Sequence, residues 1–138
     1  MDDQEALRVN RALKKATLRR NECIRNIRAI HELAQRCTED EDLVPQLVVL
    51  LDEIKELWTA FTTESSTVID CLVDLDRESE YPVDQVAELR NLISFSRTTA
   101  DRFVKKQHKI ERSLRKGSIT SQVDYGSANE SIPEGDNI

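Results

Sequence analysis

The chain has 138 residues, of which 33% are charged and 4% are aromatic, and its formal net charge is −6. Three glycines and three prolines are typical of one domain built from long helices, and no apolar run approaches the roughly 20 residues that span a bilayer. Acids at Asp2 and Asp3 argue against a signal peptide, and three cysteines do not form a disulfide framework, so we expect an intracellular, cytoplasmic chain.

The charges are sorted by segment. Residues 1–37 carry nine Lys/Arg and five Asp/Glu, residues 38–82 carry two and thirteen, and residues 83–116 carry nine and four. A basic, acidic, basic order predicts that the middle element packs between the other two, because opposite charges then flank each interface.

The first predicted helix covers residues 3–37. Its apolar or small residues recur in steps of three and four, which is a heptad stripe. Arg20 is its one charged member. The stripe consists of Ala6, Val9, Leu13, Ala16, Arg20, Cys23, Ile27, Ile30, Ala34 and Cys37.

The second predicted helix covers residues 43–80, with acids at its N-terminal end and Pro45 in its first turn. Two adjoining apolar stripes give it two neighbours, as a middle helix needs. A run of Thr and Ser in residues 59–67 is a possible site of a kink or break. Trp58 could anchor a partner, but the pattern favours a core position for it. The predicted interaction and core residues are Leu50, Ile54, Leu57, Trp58 and Phe61.

The third predicted helix covers residues 83–116, because Pro82 suits a first helical turn and Gly117 suits a C-terminal stop. Its stripe contains Val86, Leu89, Ile93, Ser96, Ala100, Phe103, Gln107, Ile110 and Leu114. Residues 117–138 are rich in Ser, Gly, Asn and acids and are predicted to form a disordered acidic tail.

These elements predict an all-α fold, an elongated antiparallel three-helix bundle over residues 1–116 with coiled-coil-like packing. Basic residues 8–15 would then lie beside Asp70, Asp74 and Asp76. Arg20 and Glu64 would face each other at similar depth, and either they pair across the interface or each extends to solvent.

Catalysis is not expected, since the chain has two histidines and no motif with the spacing of a nucleophile, phosphate-loop or metalloprotease site. A metal site formed by Cys23, Cys37, Cys71 and His31 is the least favoured alternative, because all three cysteines lie on apolar stripes and suit core packing. We expect no cofactor and no metal.

One side of the third helix is basic, with a spacing that could follow phosphates of a nucleic acid or an anionic membrane. Few aromatic residues are near to stack on bases, so a solvated face that complements the acidic helix is the favoured interpretation. The candidate phosphate-contacting residues are Arg102, Lys105, Lys106, Lys109, Arg112 and Lys116.

Two segments resemble a known family. Residues 18–30 (LRRNECIRNIRAI) are similar to the basic first helix of the Gag-like region of BEL/Pao retrotransposon polyproteins, and residues 47–61 to its second helix. The motif Leu57, Trp58 and, three residues later, Phe61 carries the resemblance, which covers about residues 10–80. The larger capsid-like segment, the zinc knuckle and the protease motif of such polyproteins are missing from this sequence.

The resemblance implies an isolated N-terminal piece of a Gag-like protein, which serves as a helical scaffold for self-association without catalysis of its own. The partners it implies are further copies or other helices. The alternative is a nucleic-acid or anionic-membrane binding module that uses the basic face.

Overall fold

The computed structural model describes the backbone of residues 1–123 and the side chains of residues 1–115. Within them the chain forms α1 (Asp3–Cys37), α2 (Val44–Leu51), α3 (Ile54–Asp74) and α4 (Gln85–Val123), with short 3₁₀ turns before α2 and after α3. This part of the chain has no β-strand, which confirms the all-α class, and none of its helices has an apolar stretch that would cross a bilayer.

The chain divides into two units, of which the first is Met1–Asp101 and the second begins at Arg102. The boundary falls inside α4, whose residues 85–101 belong to the first unit. In the second unit, residues 102–123 form one helical segment that is rich in basic residues.

The first helix has the range that its stripe predicted. The Asp2 carboxylate accepts a hydrogen bond from the backbone N–H of Glu5 at 2.7 Å, which caps the helix start. The C-terminal two thirds of the stripe face the core, where Ala16, Ile27 and Ala34 are all buried. A stripe in steps of three and four therefore located this helix and its inner face correctly.

The predicted second helix over 43–80 is wrong as a single helix. It is interrupted at Asp52 and Glu53, whose N–H groups donate to the carbonyls of Val49 and Leu50, three residues back. This tightening separates α2 from α3. Two adjacent acids occupy the link, and aspartate is a weak helix former.

The Thr/Ser run does not break α3. The hydroxyls of Thr59, Thr62 and Thr67 donate to backbone carbonyls three or four residues back, so their polar groups are satisfied within the helix. The helix ends instead at Asp74, followed by Asp76 in the left-handed region at φ 56°.

The third predicted helix starts and extends differently. α4 begins at Gln85, two residues later than expected, and it passes through Gly117, where we predicted its end. It is described as far as Val123, so residues 117–123 of the predicted tail have helical backbone. The rest of that prediction, residues 124–138, lies outside the described residues.

In the first unit three helices meet each other. α1 and α3 are antiparallel, since Ala16 clusters with Val68 and Leu72 while Arg20 contacts Ser65. α1 and the first part of α4 are parallel, since Arg20 contacts Gln85 and further along Arg28 contacts Glu88. The Arg90 guanidinium lies 5.7 Å from the Trp58 ring, which joins α4 to α3. The topology is up, down, up.

The prediction that the acidic middle helix separates the two basic helices is wrong. α1 and α4 touch directly, through the Arg28–Glu88 ion pair at 2.9 Å and the edge contact of His31 with Phe95 at 5.1 Å, so α3 does not separate them. Nor does any ion pair in the described residues join the basic residues of α1 to Asp70, Asp74 or Asp76. Exposed pairs contribute little stability, so apolar burial decides the arrangement.

Candidate functional site

The stripe of α4 changes from buried to exposed. Leu89 and Ala100 are 0% and 3% exposed, whereas Ile110 and Leu114 are 44% and 70% exposed. Phe103 lies between these groups and is half-buried. The same heptad spacing therefore supplies core in the first unit and leaves an apolar stripe on the second unit.

Basic residues flank this exposed stripe. We use "basic segment" for residues 102–116, which contain seven Lys/Arg and one acid. The side chain of Lys116 lies outside the described residues. The other predicted phosphate-contacting residues are all exposed, namely Arg102, Lys105, Lys106, Lys109 and Arg112. The basic segment is thus an amphipathic helix in which positively charged side chains flank an apolar stripe.

α2 carries a second exposed apolar area. The helix contains no charged residue, and only Val44 and Leu47 are buried, while Val48 and Val49 are 38% and 64% exposed. Exposed acids flank it on both sides. We use "α2 patch" for Val48, Val49 and the flanking exposed acids Asp42, Asp52 and Glu53.

The predicted interaction and core residues separate into two groups. Ile54 and Phe61 are 1% and 0% exposed and belong to the core. Leu50, Leu57 and Trp58 are half-buried. The sequence pattern located the inner face of α3 but did not distinguish the fully buried positions from those at its margin.

Trp58 lines a groove between α3 and α4 within the first unit. The groove has a volume of about 530 Å³, and its wall includes the cations Lys55, Arg90 and Arg97. One neighbour of the Trp58 ring is Phe61, at a centroid distance of 5.3 Å. The prediction that Trp58 is core therefore holds only for part of its surface.

Arg20 is a buried cation at the meeting point of the helices. It is 4% exposed, and its Nε donates to Ser65 Oγ at 2.7 Å while one terminal nitrogen donates to Gln85 Oε1 at 2.6 Å. Its guanidinium carbon lies 4.8 Å from the Phe61 ring centroid and 5.5 Å from that of Tyr81. The other terminal nitrogen, Nη2, is buried without a hydrogen-bond partner in the described structure.

Neither predicted arrangement of Arg20 is observed. It does not pair with Glu64 and it does not extend to solvent, since its side chain is held by neutral acceptors and aromatic rings. The sequence signal, a lone arginine in an apolar stripe, identified the position, but it could not identify Ser65 and Gln85, which are distant in sequence. This cluster links α1, α3 and α4 and has a structural role.

The three cysteines are free and buried. Burial raises the pKa of each thiol above its ordinary value of 9.0, and for Cys23 the charges of Glu64 and Glu22 raise it further. His31 packs against Phe95. No group of three or more His, Cys, Asp or Glu side chains within the described part of the chain is placed to hold a metal ion.

The first unit is an all-α bundle that exposes the α2 patch among other apolar side chains, and the second unit contains the basic segment. Comparison of the chain with models of known protein families, with curated proteins and with solved structures finds no match.

Proposed function

We propose that the chain is a non-catalytic helical module that associates with further copies of itself. The observation that carries the proposal is the heptad stripe of α4, which continues from buried positions at Leu89 and Ala100 to exposed positions at Ile110 and Leu114. Exposed apolar side chains at heptad spacing stabilise a complex when a second apolar surface covers them. The resemblance to the Gag-like region of BEL/Pao polyproteins points to the same kind of activity, and we include that origin in the proposal.

Sedimentation equilibrium over a wide concentration range tests the proposal. We expect the wild-type chain to associate reversibly at physiological salt, because an apolar contact tolerates salt. The double variant I110S/L114S should raise the dissociation constant by at least about a hundredfold, since it removes two apolar side chains that association would bury.

A matched control tests whether the position of the apolar residues matters. Leu7 and Leu18 are each 62% exposed and lie on α1. The variant L7S/L18S also replaces two exposed aliphatic side chains by serine and should associate like the wild type. A wild-type chain that remains monomeric at every concentration would rule out the proposed function.

A second candidate function is binding to a nucleic acid or an anionic membrane through the basic segment. The exposure of Lys105 and Lys109 and of the neighbouring arginines favours it. Such binding rests on phosphate charge and should collapse between low and physiological salt. It should fail in K105Q/K109Q, and in the case of nucleic acid it should survive I110S/L114S, which we expect to abolish self-association.

A further inference from the structure

The α2 patch and the basic segment are complementary in charge. Residues 39–56, which contain the α2 patch, have seven acids and one lysine, so their formal charge is −6. Residues 102–116 have seven Lys/Arg and one acid, so their formal charge is +6. Both regions also expose apolar side chains, Val48 and Val49 in the first and Ile110 and Leu114 in the second.

Charge opposes the simplest form of self-association. If the basic segments of two copies paired with each other, a +6 surface would face a +6 surface across one interface. Like charges placed across an interface oppose association, and they select against a wrong partner. The exposed stripe of α4 therefore needs an apolar surface of opposite charge, and not the same stripe of another copy.

We propose that the basic segment of one copy docks on the α2 patch of a second copy. This inference rests on the proposed self-association and names the two surfaces that make it. The apolar residues from Phe103 to Leu114 extend over roughly 16 Å of helix, and α2 with its eight residues extends over roughly 12 Å, so the two surfaces are similar in length.

The contact joins two different surfaces of the chain. Two copies satisfy it reciprocally in a closed dimer, and otherwise the contact repeats into a ring or an open chain. Val48 and Val49 would cover the stripe of the partner's basic segment, while Asp52 and Glu53 would lie near its lysines. Apolar burial supplies the affinity, and the charges fix which surfaces meet.

A charge-swap experiment tests the inference. The first variant, D52K/E53K, changes the formal charge of residues 39–56 from −6 to −2, and the second, K105E/K109E, changes that of residues 102–116 from +6 to +2. All four side chains are exposed, and in the described residues none of the four makes a hydrogen bond or an ion pair that the substitution would remove from the fold. Each variant alone should associate at least about tenfold more weakly than the wild type, because the substituted residues now face charges of their own sign and the net attraction between the two surfaces falls.

Mixing the two variants should restore association. The basic segment of D52K/E53K then meets the unaltered acids of the other variant, and the new glutamates of that variant meet the new lysines. The chain that carries all four substitutions should also associate with itself. The control variants K14E/K15E and D70K/D74K make equal charge changes at exposed positions on α1 and α3, and they should associate like the wild type.

The possible results separate the two proposals. If the wild type associates and both charge variants do so equally well, the α2 patch is not the docking surface, although self-association holds. If each variant alone associates more weakly but association is not restored in the mixture or in the fourfold variant, the pairing of these two surfaces is also overturned. If the wild type does not associate, the proposed function itself fails. Circular dichroism of each variant checks that the helices remain formed.

Discussion

Removing the hydroxyl of Ser65 should destabilise the bundle through its effect on Arg20. In the wild type Ser65 Oγ accepts the Nε–H of Arg20 at 2.7 Å, in a site where Arg20 is 4% exposed and its Nη2 already lacks a partner. Ser65→Ala leaves Nε without its acceptor as well, and no carboxylate hydrogen-bonds or ion-pairs with the buried charge in the described structure.

The expected loss follows from the type of bond. A hydrogen bond from a charged donor contributes about 1.5 to 3 kcal/mol, and a buried donor left without an acceptor costs a similar amount, so Ser65→Ala should lower the free energy of unfolding by about 1.5 to 3 kcal/mol. Arg20→Met removes the buried charge together with its hydrogen bonds, and these effects oppose each other. We expect that variant to stay within about 2 kcal/mol of the wild type.

A double-mutant cycle isolates the interaction. In the Arg20→Met background Ser65→Ala should cost almost nothing, which gives a coupling energy of about 1.5 to 3 kcal/mol. Urea unfolding followed by far-UV circular dichroism measures all four chains, at a concentration where they have the same oligomeric state.

Ser96→Ala is the matched control. Ser96 is also a buried helical serine, 1% exposed, but its hydroxyl only donates to the backbone carbonyl of Leu92. Its replacement should change the free energy of unfolding by less than about 1 kcal/mol. A Ser65→Ala cost no larger than that of Ser96→Ala, or a coupling energy near zero, would refute the account of Arg20 given above.

Three further predictions concern the core and the titrating groups. Phe61→Ala should cost about 3 to 5 kcal/mol in the same urea assay, since the ring is 0% exposed, whereas Leu57→Ala, at a half-buried position, should cost about 1 to 2 kcal/mol. Arg77→Ala should raise the pKa of Glu80 in an NMR titration, because the hydrogen bonds from Arg77 lower that pKa in the folded chain, and the stability linked to Glu80 is lost as the pH falls. The three cysteine thiols should react with a thiol-specific reagent only when the protein opens. Because burial raises each thiol pKa above 9.0, the folded state favours the neutral form, so stability should fall as the pH rises past that value.

Much of the fold could be predicted from the local spacing of apolar residues. The α1 stripe gave the helix range and its inner face, because steps of three and four place side chains on one side of a helix whatever its partners are. It also marked Arg20 as exceptional. The partners Ser65 and Gln85 depend on how three helices align, which no local pattern determines.

The predictions that were wrong also depended on features beyond the local apolar pattern. The link at Asp52 and Glu53 depends on a switch in backbone hydrogen bonding that composition does not reveal. The charge blocks predicted a sandwich, but exposed charges are too weak to override apolar packing, and α1 therefore touches α4. The stripe of α4 could not show that its second half is exposed, since one spacing serves both a core and a docking surface.

The division between α2 and α3 has a consequence for how the molecule opens. An eight-residue helix is too short to persist without tertiary contacts, and α2 is anchored by two buried side chains, Val44 and Leu47. Its amide protons should therefore exchange with deuterated solvent much earlier than those of α3 around Phe61. A copy that docks on α2 would slow that exchange, so this eight-residue helix would also report assembly.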